Sequence, residues 1–488
     1  MSKFVGAKPF SHAEISPCHY KPDIIPCVPR NLHSIKHNQT ITMTVTAPSI
    51  PETIPENAEL PKGKTPIRGV PHTPTHTSSW DLTSTWLVGA NEHVRAWWDA
   101  LGPQIASLAD EAGYKMLAQT EILLLLHSVL LPHLGRYPPI QEKAPVEYRW
   151  TCTGDEHDHE HDHPTLTLAI EAAGDAKSTS HLTRHHLQAT QQILELLASQ
   201  LPSVSLRWYR HFVQAFHIDH HMDHSSHHRS SRHTDADRPR TPLAFEFADT
   251  GVVPRVYFSP PAQAQEEKPS LAIFTDAIRP LSESVSLLAF EEFVAFVDNH
   301  PVGVTLTPEV LGVDCAAASA SLYLHAHTPL TNFESVIAIL TLGGRVHGRD
   351  LAIMELWELL CAMLRLKHVN RTFSWGDELP GREREDWHQG LRYCFEIMPE
   401  REVPEVSVDI PVAGYGRDED VLVGLEKFLK NRGQKPCAEG LARVVHMLRR
   451  GKTEHQPVLT HIVCSLQGGV LKVTSCMEPG LKQQYGEE

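Results

Sequence analysis

Along this 488-residue chain the apolar positions follow two alternating patterns, each set by backbone geometry. A strand turns successive side chains to opposite faces, whereas helical neighbours recur every three or four residues. Period-two runs come in pairs at 146–150 with 165–170, 243–247 with 252–258, 393–397 with 406–410, and 461–466 with 470–474. Residues 321–326 are strand-like as well, with a partner expected near 302–306. Helical spacing fills the intervals. It runs from 97 to 134, split near Gly113 and stopped by Leu131-Pro132-His133-Leu134-Gly135, and recurs at 181–201, 284–297, 333–342, 351–364, 419–431 and 439–449.

Hairpins separated by helices and repeating about every 75 to 100 residues predict an α+β fold with one antiparallel sheet and its helices outside. Such a sheet either exposes two edges or closes. Closure into a β-barrel removes the edges and leaves a lumen for a ligand.

Three segments depart from this pattern. Residues 1–78 are Pro/Thr/His-rich, punctuated by Pro48, Pro51, Pro55, Pro61 and Pro66, and have too little apolar periodicity to offset ordering entropy. They are expected to form a disordered extension ahead of a barrel domain at 79–480. The His-rich stretches 155–163 and 217–233 read as loop insertions. Imidazole beside carboxylate is good ligand chemistry, but D/E/H alternation offers many equivalent weak sites in place of one fixed set, so no metal site is assigned.

Charge narrows the partners. With 44 Lys and Arg against 59 Asp and Glu the formal charge is −15, which provides no basic footprint for nucleic acid or an anionic membrane. The longest apolar run, 122–134, holds His127 and His133 and is too short to span a bilayer. Nine cysteines are scattered singly with no C-x-x-C pair, so neither a disulfide framework nor a zinc site is expected, and a soluble, reduced, cytoplasmic protein follows. Gly414-Tyr415-Gly416 lacks the third glycine of a dinucleotide fingerprint, and no Walker, G-x-S-x-G or H-E-x-x-H sequence occurs.

Several segments, in order, resemble the fungal dimethylallyl tryptophan synthase (DMATS) type of aromatic prenyltransferase. They are Trp97-Trp98…Gly113-Tyr114…Gln119…Leu134-Gly135-Arg136-Tyr137-Pro138, then Pro145-Val146-Glu147-Tyr148, then Pro254-Arg255-Val256-Tyr257-Phe258-Ser259-Pro260. Gly312-Val313-Asp314-Cys315…Tyr323, Tyr393-Cys394-Phe395-Glu396-Ile397, and Ile410-Pro411-Val412…Tyr415 with Gly424-Leu425…Phe428-Leu429 continue the series. The resemblance covers roughly residues 80 to 480 and implies a closed antiparallel barrel ringed by helices, the ABBA type. It also implies a metal-independent, cofactor-free alkylation in which an allylic diphosphate ionises and an indole or other aromatic acceptor, a small molecule, captures the cation. That reaction needs cations on the diphosphate, tyrosines around the carbocation and a carboxylate on the acceptor.

By resemblance Glu147 holds the carboxylate position, Arg255 and Tyr257 match K-x-Y with arginine for lysine, and Tyr323 closes the family's R-x-K-x-Y. Strand alternation also puts Arg149 on the face of Glu147, so a structural ion pair stays open as a reading. Lys472 falls among the late cage positions, with His461 and Cys476, and is a candidate for the donor. Elsewhere the clamp is missing: Ser319 and Ser321 replace Arg and Lys, Ser407 and Asp409 stand in the K-x-Y before Ile410, and 164–168 holds no base. Arg136, Arg149 or Arg279 would have to compensate. Otherwise the barrel catalyses cyclisation or rearrangement of a prenylated or polycyclic intermediate, with Glu147, Asp409 or His461 as acid or base, or serves only as a binding protein.

Overall fold

A computed structural model describes residues 78–87, 91–135, 145–153, 163–173, 182–216, 242–248, 251–260, 262–317, 320–366, 373–380, 390–453 and 456–481. The expected extension up to residue 77, the His-rich stretches apart from His163, Arg136 and Ser319 lie outside these residues.

Ten strands form one closed antiparallel barrel: β1 (Val146–Cys152), β2 (Thr165–Ile170), β3 (Leu243–Ala248), β4 (Gly251–Phe258), β5 (Thr307–Asp314), β6 (Leu322–Thr328), β7 (Leu391–Ile397), β8 (Glu405–Ile410), β9 (Leu459–Gln467) and β10 (Val470–Met477). Each pairs with its neighbours in chain order, and β1 closes on β10 through registers such as Arg149 with Cys476. The alternation splits every strand between two environments. Outward positions such as Trp150, Phe245, Phe258, Tyr393 and Phe395 are buried against the helices; Phe293 of the helix Leu288–Asn299 meets Phe395 with ring centroids 4.6 Å apart. Inward positions are largely polar and line the lumen. The apolar core is therefore the layer between barrel and helices, and the lumen is left for chemistry.

The expected partner of β6 near 302–306 is wrong. Gly303–Thr305 forms a 3-10 turn, and β5 begins immediately afterwards. Gly303 sits against the helix Leu288–Asn299, where a Cβ would lie 2.1 Å from the Phe296 carbonyl oxygen. Pro308 and a register shift between Pro308 and Val310 hide the strand's alternation.

The cysteine reading also needs correction, because Cys152 at the end of β1 and Cys437 in the helix Lys435–Arg449 form a disulfide with Cα atoms 6.2 Å apart. Their separation of 285 residues left no local signal; barrel closure and helix docking bring them together. The apolar run is likewise longer than 122–134: Met116–His133 is continuous helix, with the length and composition of a membrane-crossing segment and mean hydropathy 1.2. Half of it is buried in the protein, where the helices Ser78–Trp86 and Glu92–Glu111 pack against it.

Candidate active site in the barrel lumen

The lumen encloses about 490 Å³, within the range of small-molecule sites. Glu147, Arg255, Tyr257, Tyr323 and Lys472 all line it. The structure thus brings these five residues together in one cavity.

Arg255 is the centre of one network. Its Nε donates to Asp314 Oδ1 at 2.7 Å, and its guanidinium carbon lies 3.5 Å from the centroid of the Tyr323 ring. Burial disfavours the charge, but the field of Tyr323, Tyr257 and Asp314 outweighs it and raises the pKa further above the ordinary arginine value. Asp314 is anchored by strand register, since it pairs with Arg255 across β4 and β5. Gly312, opposite both Tyr257 and Tyr323, leaves room for their rings: a Cβ there would lie 3.0 Å from Tyr257 and 3.1 Å from Tyr323.

The Tyr323 hydroxyl lies 2.9 Å from Asp314 Oδ2 and 3.0 Å from Glu396 Oε1. A phenol has one proton, so two carboxylates cannot both accept it. Burial raises the Glu396 pKa above the ordinary carboxyl value, while the hydrogen bond from Tyr323 and the field of Arg255 act against it, so Glu396 takes up a proton at a higher pH than a free carboxyl does. A folded state that holds a proton more tightly than the unfolded chain loses stability as pH rises through the raised folded value. Glu396→Gln keeps an acceptor oxygen facing Tyr323 without the titration. Its thermal stability is expected to fall less between pH 5 and pH 8 than that of the unaltered protein; equal losses in parallel melts would place the proton elsewhere.

Arg149 organises a second network. Its Nε donates to Glu147 Oε1 at 2.8 Å and its Nη1 to the Tyr257 hydroxyl at 3.3 Å. The Glu147–Arg149 ion pair left open by alternation is real, and it ties the carboxylate to a cation that also reaches Tyr257. Arg392, also lining the lumen, lies 3.9 Å from Glu309. Lys472 shares a row with Ser465, Ser407 and Cys394 across β10, β9, β8 and β7.

These positions correct the expectation of a nearly empty clamp. Arg149 and Arg392 join Arg255 and Lys472 in the lumen, whereas Arg279 is on the surface, paired with Glu291. Thr165 and Thr167 face the lumen from β2, so no base comes from there. Seven carboxylates also line the cavity: Glu147, Glu171, Glu246, Glu309, Glu396, Glu405 and Asp409. Several are engaged by cations, Glu405 with Arg349 at 2.6 Å and Arg401 at 3.2 Å among them. Asp409 is different, since among the described residues its buried Oδ1 has no hydrogen-bond partner. Sequence reasoning missed Arg392 because the strand was started two residues late, and it missed Asp314 because β5 was misplaced. Alternation along β7 gives the signal for Arg392, Cys394 and Glu396 together. Among the described residues no group of three or more His, Cys, Asp or Glu is placed to hold a metal ion.

Comparison with known proteins agrees with this architecture. A family model described as tryptophan dimethylallyltransferase matches residues 93–443. The DMATS-type prenyltransferase fscG of Fusarium equiseti is 30% identical over 445 residues, covering 84% of this chain and 96% of that protein. The 4-O-dimethylallyl-L-tyrosine synthase of Claviceps purpurea is 27% identical, covering 79% and 88%. The crystal structure of NotF in complex with brevianamide F and DMSPP shares the fold with a TM-score of 0.65 at 16% identity, over 82% of this chain and 98% of that one. A ten-stranded barrel with helices outside and a tyrosine- and arginine-lined lumen, joined to a match across most of the chain, makes this protein a member of the DMATS family of aromatic prenyltransferases.

Proposed function

We propose that the protein transfers a prenyl group from an allylic diphosphate to an aromatic or indole-type acceptor held in the lumen, without a metal ion. The observation that carries this reading is the state of Arg255. Among the described residues Asp314 engages only its Nε and no hydrogen bond reaches either Nη, and Arg255 lines a cavity shared with Arg149, Arg392 and Lys472. A guanidinium fork matches phosphate oxygens in geometry and charge. Diphosphate held there leaves with the electron pair of the allylic C–O bond, and the negative charge that develops on it is met by cations already in place. The faces of Tyr257 and Tyr323 border the same space and stabilise the allylic cation while excluding water. Glu147, fixed by Arg149, orients the acceptor by taking a hydrogen bond from its N–H or O–H.

Calorimetric titration with dimethylallyl and geranyl diphosphate tests the reading. Micromolar binding is expected, unchanged by EDTA, and lost in Arg255→Ala. Incubation with L-tryptophan, L-tyrosine or a dihydroxynaphthalene should then yield a product heavier by one prenyl unit, again in EDTA. Failure of both diphosphates to bind would overturn the proposal. A requirement for magnesium would overturn its metal-independent part.

A further inference from the structure

His325 stands in the lumen wall on β6, two residues after Tyr323 and therefore on the same face. Its ring centroid is 5.7 Å from that of Tyr257. Its Nε2 is sealed from solvent and has no hydrogen-bond partner, and among the described residues no hydrogen bond reaches either ring nitrogen. Buried imidazoles are ordinarily partnered, so an unused one in the wall of a substrate cavity points to a ligand.

The charges around it have a pattern. From β4 come Arg255 and Tyr257, from β1 Arg149, and from β7 Arg392 and Cys394; Asp409 follows on β8. Tyr323 and His327 are its neighbours along β6. Burial and then the fields of Arg149, Arg255 and Arg392 keep the imidazole neutral, its pKa pushed down to about 3. Those three arginines include the ones assigned above to the diphosphate. An anion bound to them cancels the field that suppresses the imidazole, so donor binding and the basicity of His325 are thermodynamically linked.

We infer that His325 is the base that removes the ring proton after alkylation, and that it becomes competent only when the diphosphate is bound; this rests on the prenyl-transfer reading above. In the step, the allylic C–O bond breaks with its electron pair going to the diphosphate. A π pair of the acceptor ring forms the new C–C bond. The C–H pair then returns to the ring as the proton passes to the imidazole of His325. The imidazolium hands that proton to the departing diphosphate, which restores neutral His325. A base that stays neutral without donor leaves the cationic end of the lumen unchallenged while the diphosphate binds.

The test uses the full chain labelled with carbon-13 histidine, with His325→Gln to assign the resonance. The donor is dimethylallyl S-thiolodiphosphate, which binds without ionising readily, and its binding is checked first by calorimetry. Without donor the His325 signal should keep its neutral shift across roughly pH 5.5 to 8.5, where an ordinary imidazole titrates. With donor saturating it should titrate inside that range. His325→Gln should lower kcat about 100-fold with the donor KM changed less than about threefold, the loss expected for removing a general base. In that variant a ring-deuterated acceptor should show a primary isotope effect absent from the unaltered enzyme. If the analogue binds and the signal still fails to titrate, the inference is overturned while prenyl transfer stands. If the analogue does not bind at all, the prenyl-transfer reading fails, and this inference fails with it.

Discussion

Arg255→Ala should lower kcat/KM for prenyl transfer by about a thousandfold and abolish measurable donor binding. Two charge-assisted contacts from the Nη groups, at about 1.5–3 kcal/mol each, give a loss of that order, since about 1.4 kcal/mol is a factor of ten. The substitution also leaves Asp314, buried and hydrogen-bonded to Tyr323, without its cation. A stability loss of about 2 kcal/mol should accompany the kinetic one, below the range for a fully buried pair because the Arg255 side chain is 21% exposed. Arg255→Lys separates the two effects. It keeps a charge near Asp314 but cannot present a planar fork to the phosphate, so most stability should return while kcat/KM stays at least about tenfold low. Steady-state kinetics with urea unfolding on all three proteins decides the matter. Unchanged donor affinity in Arg255→Ala would move the diphosphate to Arg392 and Lys472.

Trp150→Ala should be the most destabilising single truncation in the wall of the barrel, by about 3–5 kcal/mol. Trp150 is fully buried on the outer face of β1, against the helix Lys435–Arg449. Its indole N–H donates to Cys437 Sγ at 3.2 Å, and its ring lies so close to Gly440 that a Cβ there would be 3.0 Å away. Two hydrogen-bonded strands flank β1, so the cavity left by the indole cannot collapse without moving the sheet. The same strand carries Glu147 and Arg149 on its inner face, which couples wall packing to the lumen. Urea unfolding should show a lower midpoint with an unchanged slope. A midpoint within experimental error of the unaltered protein would mean that the helix does not hold β1.

Much of the architecture was legible in the chain because strand alternation is local. The runs at 165–170 and 243–247 reappear as β2 and β3 almost residue for residue, and hairpins separated by helices already implied one antiparallel sheet, open or closed. Local patterns failed where one residue broke the period: Pro308 hid β5, and with it Asp314. They also failed where contacts are remote, as for Cys152 with Cys437.

The candidate site divides the same way. Glu147, Arg255, Tyr257 and Tyr323 could be named from motif positions, and alternation put each on an inner or outer face. The sequence could not say that Arg149 and Arg392 complete the cationic set, that Glu396 accepts from Tyr323, or that among the described residues His325 has no hydrogen-bond partner beside three arginines. Whether a side chain faces inward depends on its own strand, a property of consecutive residues. Which inward side chains meet depends on the register of ten strands around a closed circuit, and that is settled only when β1 pairs with β10.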